Sequence, residues 1–371
     1  MQRILHYFKH TDLYLLFLSV AASGYGLVLI HSATASYATG RFVKVQAACL
    51  VIGLVGFVIA SLIDLEKFRR FWKWIFLLNL LLQLSLFVFG VEDGGNRSWI
   101  RFDSIGIPIG IQPAEIGKLL FIFTFARHLT RVRGHINEVK TLLGLGLHLG
   151  VMVGVILASS SDMGMALAYV FICVFMVFAA GVSIKWVFGA LGAVVLAVPL
   201  LWNFVLEKFQ KNRILVLFDP EIDPDTAYQT IQSKIAIGAG GLTGEGYMNG
   251  RQVQYGSLPA KHTDFIFSVG AEEFGMVGAA AILLVLSLII LRLLYISYKA
   301  DTPFSSLLCV GICGMFLYQT FENILMCVGL CPVMGLTLPF FSYGGTSLVT
   351  MFLAVGIAAG VRMREKPSWL K

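Results

Sequence analysis

Long apolar runs alternate with short polar ones along almost the whole chain. An apolar run of ~20 residues is long enough to cross a bilayer core as a helix. Read this way, the pattern predicts spans over roughly 13–31, 43–63, 72–90, 112–129, 140–158, 163–181, 185–204, 265–291, 304–329 and 337–361. Runs such as Thr141 to Ser161 and Trp186 to Phe204 contain no Asp, Glu, Lys or Arg. The expected fold is therefore an all-α polytopic membrane protein of about ten transmembrane helices. One large loop, about 205–264, separates the seventh and eighth spans. No soluble domain and no tandem repeat is visible, so residues 1–371 read as a single domain.

Composition agrees with this reading. Hydrophobic residues make up 57% of the chain and charged residues 13%, against roughly a quarter charged in soluble domains. The start, Met1 to Thr11, is polar and the first apolar run is long enough to span, so no cleavable signal is expected. The net charge of +7 sits in short loops between spans rather than in a stripe, which argues topology and not nucleic-acid binding. Lys67, Arg69, Arg70, Arg131, Arg133, Arg362 and Arg364 all fall on the side that holds both termini. By the excess of positive charge on cytoplasmic loops, both termini are expected in the cytoplasm and the long loop outside.

The six cysteines do not read as a disulfide framework. Five lie within apolar spans, with Cys331 at a span edge. Cys309/Cys313 and Cys327/Cys331 have the i,i+4 spacing of a metal pair, but no His/Cys pair nearby completes a site, so packing is the reading. Gly146, Gly150 and Gly154 form a small-residue ladder expected to pack closely inside the bundle.

The large loop is patterned. Thr226 to Ile237 has apolar residues at helical spacing and one polar face, as in an interfacial helix with Thr226 at its N-cap. A glycine-rich stretch follows, Gly238 to Gly256, suited either to a surface loop or to close backbone approach. Asp264 stands where the loop meets the eighth span, so it is either a helix cap or a reactive carboxylate. Glu272 and Glu273 lie about 12 Å further along that helix. Two acids so placed call for partners or a polar cavity.

Other polar groups also have two readings. Glu115 and Lys118 share a helix face after Gln112-Pro113, as a bundle ion pair or as substrate ligands. Asp162 most simply caps the sixth span, and Glu322 and Asn323 join helices. His148 reads as packed, and Trp99 and Arg101 as interface anchors.

Four separated motifs, in order, carry a resemblance. They are Asn96-Arg97-Ser98-Trp99-Ile100 with Gln112-Pro113-Ala114-Glu115-Ile116-Gly117-Lys118; Gln232-Ser233-Lys234-Ile235-Ala236-Ile237-Gly238; His262-Thr263-Asp264-Phe265-Ile266-Phe267 with Glu272-Glu273-Phe274-Gly275; and Leu338-Pro339-Phe340-Phe341-Ser342-Tyr343-Gly344-Gly345. Together they resemble the SEDS family of peptidoglycan glycosyltransferases, and the form of the second motif its rod-shape-determining, RodA-type branch. Ala260-Lys261, where many relatives have Glu and a variable residue, and Ser161 before Asp162 are departures.

The resemblance implies an inverting enzyme that polymerises lipid II into β-1,4 glycan on the outer face of the bacterial cytoplasmic (inner) membrane, releasing undecaprenyl diphosphate. It implies Asp264 as the base, with Lys118, Arg213 and Lys44, then Arg101 and Lys234, as candidates for the diphosphate. Glu115 orients Lys118 or shapes the cavity, and Trp99 packs on sugar or prenyl surface. Asp162, Ser342 and Gly344 complete the candidate site. No cofactor is required, and a divalent cation, Mg2+ or Mn2+, is compatible with the diphosphate although no ligand cluster in the sequence demands one. The implied partners are lipid II, a class B penicillin-binding protein and other elongation-complex membrane proteins. A lipid-linked precursor flippase and a pure scaffold are the competing classes.

Overall fold

A computed structural model describes residues 11–37, 40–93, 96–101, 110–204 and 206–365. Helices stand where the ten spans are predicted. They are α1 (Leu13–Thr34), α2 (Arg41–Leu62), α3 (Trp72–Leu84), α4 (Pro113–Val132), α5 (Val139–Ser160), α6 (Met163–Ala179), α7 (Ile184–Phe204), α10 (Ile266–Lys299), α11 (Pro303–Cys327) and α12 (Gly345–Met363). Between α7 and α10 come α8 (Lys208–Leu215) and α9 (Pro224–Ala239). Among the described residues, seven helices are long and apolar enough to cross a membrane by length and composition. Outward-facing side chains such as Phe17, Leu147, Val277 and Leu284 are largely exposed, which a lipid solvent tolerates and water does not.

Four expectations change. Residues expected as a loop after α3 form a small antiparallel sheet, β1 (Gly90–Asp93), β2 (Asn96–Arg101) and β3 (Gly110–Ile111), in the order β1-β2-β3. The last span begins at Gly345 rather than 337, because Leu338 to Gly344 folds into a loop with Phe340 at a φ of +68°. The cap of α9 is Asp223, which accepts from the Thr226 amide at 3.2 Å, so Thr226 is a first-turn residue. The Gly146/Gly150/Gly154 ladder meets no neighbour: a Cβ at any of the three would find nothing within 4 Å. Its face of α5 points away from the bundle, and the packed face carries Leu145, His148, Met152 and Ile156 instead.

The glycine-rich stretch docks into a break in α10. Gly275 has φ +65° and ψ −159°, which interrupts the helix. Groups released there bond to the loop: Glu272 O accepts from the Glu245 amide (3.0 Å), Glu273 O from Gly246 (3.1 Å), and the Met276 amide donates to Gly241 O (2.9 Å). Backbone polar groups in a membrane bundle need such internal partners. Both carboxylates are also paired. Glu272 accepts from the Gln252 and Val253 amides at 2.7 and 3.1 Å, and Glu273 from Ser32 Oγ and Gln254 Nε2. The expectation of partners for the two acids is met by the loop together with Ser32 of α1.

At Gly244, φ is +83° and a Cβ would lie 2.2 Å from Glu273 O. We expect Gly244→Ala to cost about 2–3 kcal/mol through strain and collision. Thermal unfolding in detergent checks this against Gly238→Ala, whose Cβ would meet nothing within 4 Å and which, inside a helix, should keep the midpoint or raise it slightly.

Candidate functional site

Asp264 is not a helix cap. The N-cap of α10 is Phe265, and no side chain bonds its first amides. Asp264 instead closes a tight turn in which the amides of Thr263, Asp264 and Phe265 converge on Ala260 O at 3.1, 3.1 and 3.2 Å. Three contacts brace this turn from outside. Asn323 Nδ2 on α11 donates to Asp264 O and Leu336 O, each at 2.8 Å. Ser342 Oγ donates to Thr263 O at 2.6 Å, and the Tyr343 amide donates to His262 O at 2.8 Å.

The carboxyl faces a cavity of about 700 Å³ bounded by α2, β2, the N-terminus of α4, α8, the 260–264 turn and the 333–345 segment. Six predicted site residues besides Asp264 line it: Trp99, Arg101, Glu115, Asp162, Arg213 and Gly344. Its cationic residues are Arg41, Arg101 and Arg213. Asp162 does cap α6, accepting from the Met165 amide at 3.0 Å, and also accepts from Ser98 Oγ on β2 at 3.1 Å. One carboxylate therefore ties the sheet to the bundle while facing the cavity.

Four predicted residues lie elsewhere. Lys44 is exposed on α2 and is not part of the wall, to which α2 contributes Arg41 and Val45. Lys118 is fully buried behind the wall, paired with Glu115 at 3.0 Å. Ser342 is buried among its hydrogen bonds and acts as a brace. Lys234 is exposed on α9, also outside the wall. Sequence reasoning missed Arg41, which no motif marks. It placed Asn323 as helix glue without seeing that the glued partner is the Asp264 carbonyl.

Burial pushes the Asp264 carboxyl up to about 6; the Thr263 hydroxyl and the Arg213 charge oppose that rise, and the Asp162 charge adds to it. Asp162 is likewise raised, by burial first and by Glu115, against the Met165 amide, Ser98 and Arg213. A carboxyl poised near neutrality can hold and release a proton at working pH. Among the described residues no three of His, Cys, Asp and Glu come close enough to hold a metal ion.

The fold and site define a class: a polytopic helical membrane protein that gathers a poised carboxylate and three arginines in one large cavity at one end of its bundle. The particular family follows from comparison. The cell cycle protein family, FTSW_RODA_SPOVE, matches residues 13–367, and the chain belongs to it. It is 34% identical over 365 residues to the probable peptidoglycan glycosyltransferase FtsW of Geobacter metallireducens, covering 96% of this chain and 95% of that protein. It is 32% identical over 358 residues to the peptidoglycan glycosyltransferase MrdB of Escherichia coli K12, with the same coverage. The crystal structure of the rod shape determining protein RodA of Thermus thermophilus matches with a TM-score of 0.71 at 26% identity, over 96% of this chain and 98% of that one. A chain from a peptidoglycan synthase complex, described as coordinating polymerization and crosslinking, matches with a TM-score of 0.82 at 28% identity, over 96% and 99%.

Proposed function

We propose that this chain is a peptidoglycan glycosyltransferase that polymerises lipid II into β-1,4 glycan during cell elongation, with Asp264 as the general base. The observation that carries the reading is the uncapped Asp264 carboxyl facing a large cavity together with Arg213. In the reaction, Asp264 takes the proton of the acceptor hydroxyl as its oxygen attacks the donor C1. The bond from C1 to the diphosphate oxygen breaks on the opposite face, inverting the anomeric centre and releasing undecaprenyl diphosphate. Negative charge grows on the departing diphosphate, where guanidinium groups are the fitting donors. Arg213, Arg101 and Arg41 take that role here, in place of Lys118 and Lys44. If Mg2+ or Mn2+ accompanies the diphosphate, Asp162 and Asp264 are carboxylates placed to face it. Trp99 offers an apolar wall for sugar or prenyl.

The Asp264 end of the bundle is outside in this reading, in the inner membrane of a bacterium. Arg131, Arg133, Lys140, Lys299, Arg362 and Arg364 cluster at the opposite helix ends, as cytoplasmic loops do. A class B penicillin-binding protein is the expected crosslinking partner, with other elongation-complex proteins around it. The flippase reading finds less support: Phe121, Phe125, Phe316 and Phe352 fill the bundle interior, fully buried.

The test is glycan formation from fluorescent lipid II by the purified chain with its transpeptidase partner, with moenomycin present to silence classical glycosyltransferases. Polymer from the wild type is the expected outcome, and lipid exchange between leaflets without polymer would point to the flippase. Arg213→Ala should lose about tenfold to a hundredfold in kcat/KM, the scale of a charged hydrogen bond. Lys44→Ala, outside the wall, should lose nothing measurable.

A further inference from the structure

Lys261 is unusual for its charge. It is 1% exposed, and lysine is almost never fully buried without partners. Its ammonium donates to Val253 O and, at 3.1 Å, to Ser36 Oγ. It also lies 5.3 Å from the centre of the Tyr37 ring. Neither hydrogen-bond partner is a carboxylate; burial lowers the ammonium's pKa, and the charges of Glu273 and then Glu272 on α10 oppose that fall. The next residue, His262, is enclosed by the rings of Tyr37, Phe42 and Tyr343 at 5.7, 4.9 and 5.6 Å.

The turn that Lys261 belongs to is strained. Ala260, a residue with a Cβ, has φ +44°. Such a conformation persists only where the surroundings over-determine it. The contacts already described hold the turn at His262, Thr263 and Asp264 from the 338–344 loop and α11. On the other side, Lys261 reaches inward to the short helix Arg251–Gln254 and to Ser36 just beyond α1. That helix is fixed in turn by Glu272 through the Gln252 and Val253 amides. The chain of contacts runs from the docked glycine loop through Lys261 to the carboxylate three residues on.

We propose that Lys261 is a positioning residue for Asp264, its buried ammonium anchoring the strained 260–264 turn to the loop docked on α10. This rests on the reading of Asp264 as the base. Loss of the anchor lets the turn relax at Ala260 and moves the carboxylate relative to the acceptor hydroxyl. A displacement of that kind lowers the chemical step and leaves substrate binding, made by other walls of the cavity, in place.

Initial rates of glycan formation against lipid II concentration test it, for the wild type and for Lys261→Met, Lys261→Arg, Ser36→Ala and Asp264→Ala. Lys261→Met should lower kcat by about 10–100-fold with KM within about threefold. Lys261→Arg, which can still donate to Val253 O, should recover most of the rate. Ser36→Ala removes one of the two anchoring bonds without disturbing the buried charge. It should lower kcat alone, by roughly threefold, and it carries the test if Lys261→Met does not fold. Wild-type kcat in both Lys261→Met and Ser36→Ala, or a KM rise at constant kcat, would overturn the proposal. So would an arginine variant no better than the methionine one. An active Asp264→Ala protein sinks the base reading whatever Lys261 does, whereas an inactive one beside a fully active Lys261→Met sinks only the anchor.

Discussion

Asparagine in place of Asp264 will leave a folded protein that makes no detectable glycan. Removal of a positioned general base costs about 10²–10⁴-fold in rate, and asparagine keeps the volume of the side chain while losing its proton affinity. The backbone braces from Asn323 and Ser342 bond carbonyls rather than the carboxyl, so they survive the change. The wild-type rate should rise with pH through about 6, where the carboxyl ionises, and level off above it. Stability runs the other way. Burial makes the folded carboxyl hold its proton more tightly than the unfolded chain does. Its contribution is therefore greatest below the ordinary carboxylate range and is lost as pH rises through about 6. At pH 7.5 the asparagine variant should thus unfold no earlier than the wild type. Lipid II polymerisation and thermal unfolding at matched pH read both effects. Equal polymer from the two proteins would refute Asp264 as the base and turn attention to the other carboxylates on the cavity wall, Glu115 and Asp162.

The largest loss of stability is expected at the Glu115–Lys118 pair. Both side chains are essentially inaccessible, and their charged atoms lie 3.0 Å apart. Leaving one such charge buried alone costs about 3–5 kcal/mol. Glu115→Gln and Lys118→Met should each lower the unfolding midpoint strongly in detergent. The double variant should recover most of the loss, because it buries no charge. A double variant as unstable as the worse single one would mean that the pair matters through packing, for instance around Gly117, where a Cβ would lie 2.3 Å from Gln83 Nε2. Activity separates the roles. Glu115 reaches the cavity wall and Lys118 does not, so in folded protein Glu115→Gln should affect catalysis more.

Much of the architecture was legible because the bilayer is a demanding solvent. Charge-free runs of spanning length have few other uses, and they mark α1, α5 and α7 directly. The weakest run, over 112–129, became α4, whose buried face carries the Glu115–Lys118 pair. Its low hydropathy was the sign of an interior helix. The 3.6-residue period of 226–237 showed α9, but not which residue caps it, since Asp223 and Thr226 both qualify by type. The glycine ladder on α5 was misleading because spacing shows that a close approach is sterically open, not that a neighbour is there.

The sequence by itself determined the solvent this chain folds in, its helices and their order, and the motif residues that resemble a known family. Those depend on local composition and period, which act residue by residue. The tertiary structure decided which charged residues face the cavity. It put Arg41 on the wall and Lys44 off it, hid Lys118 behind Glu115, and turned Ser342 into a brace. It also showed that Asp264 caps nothing and that the glycine loop fills the break at Gly275. These outcomes depend on helix rotation and on contacts between segments hundreds of residues apart, such as Gln46 with Ser342 and Gly344. A side chain's role in this site follows from the direction it points, and that direction is fixed only once the helices have packed.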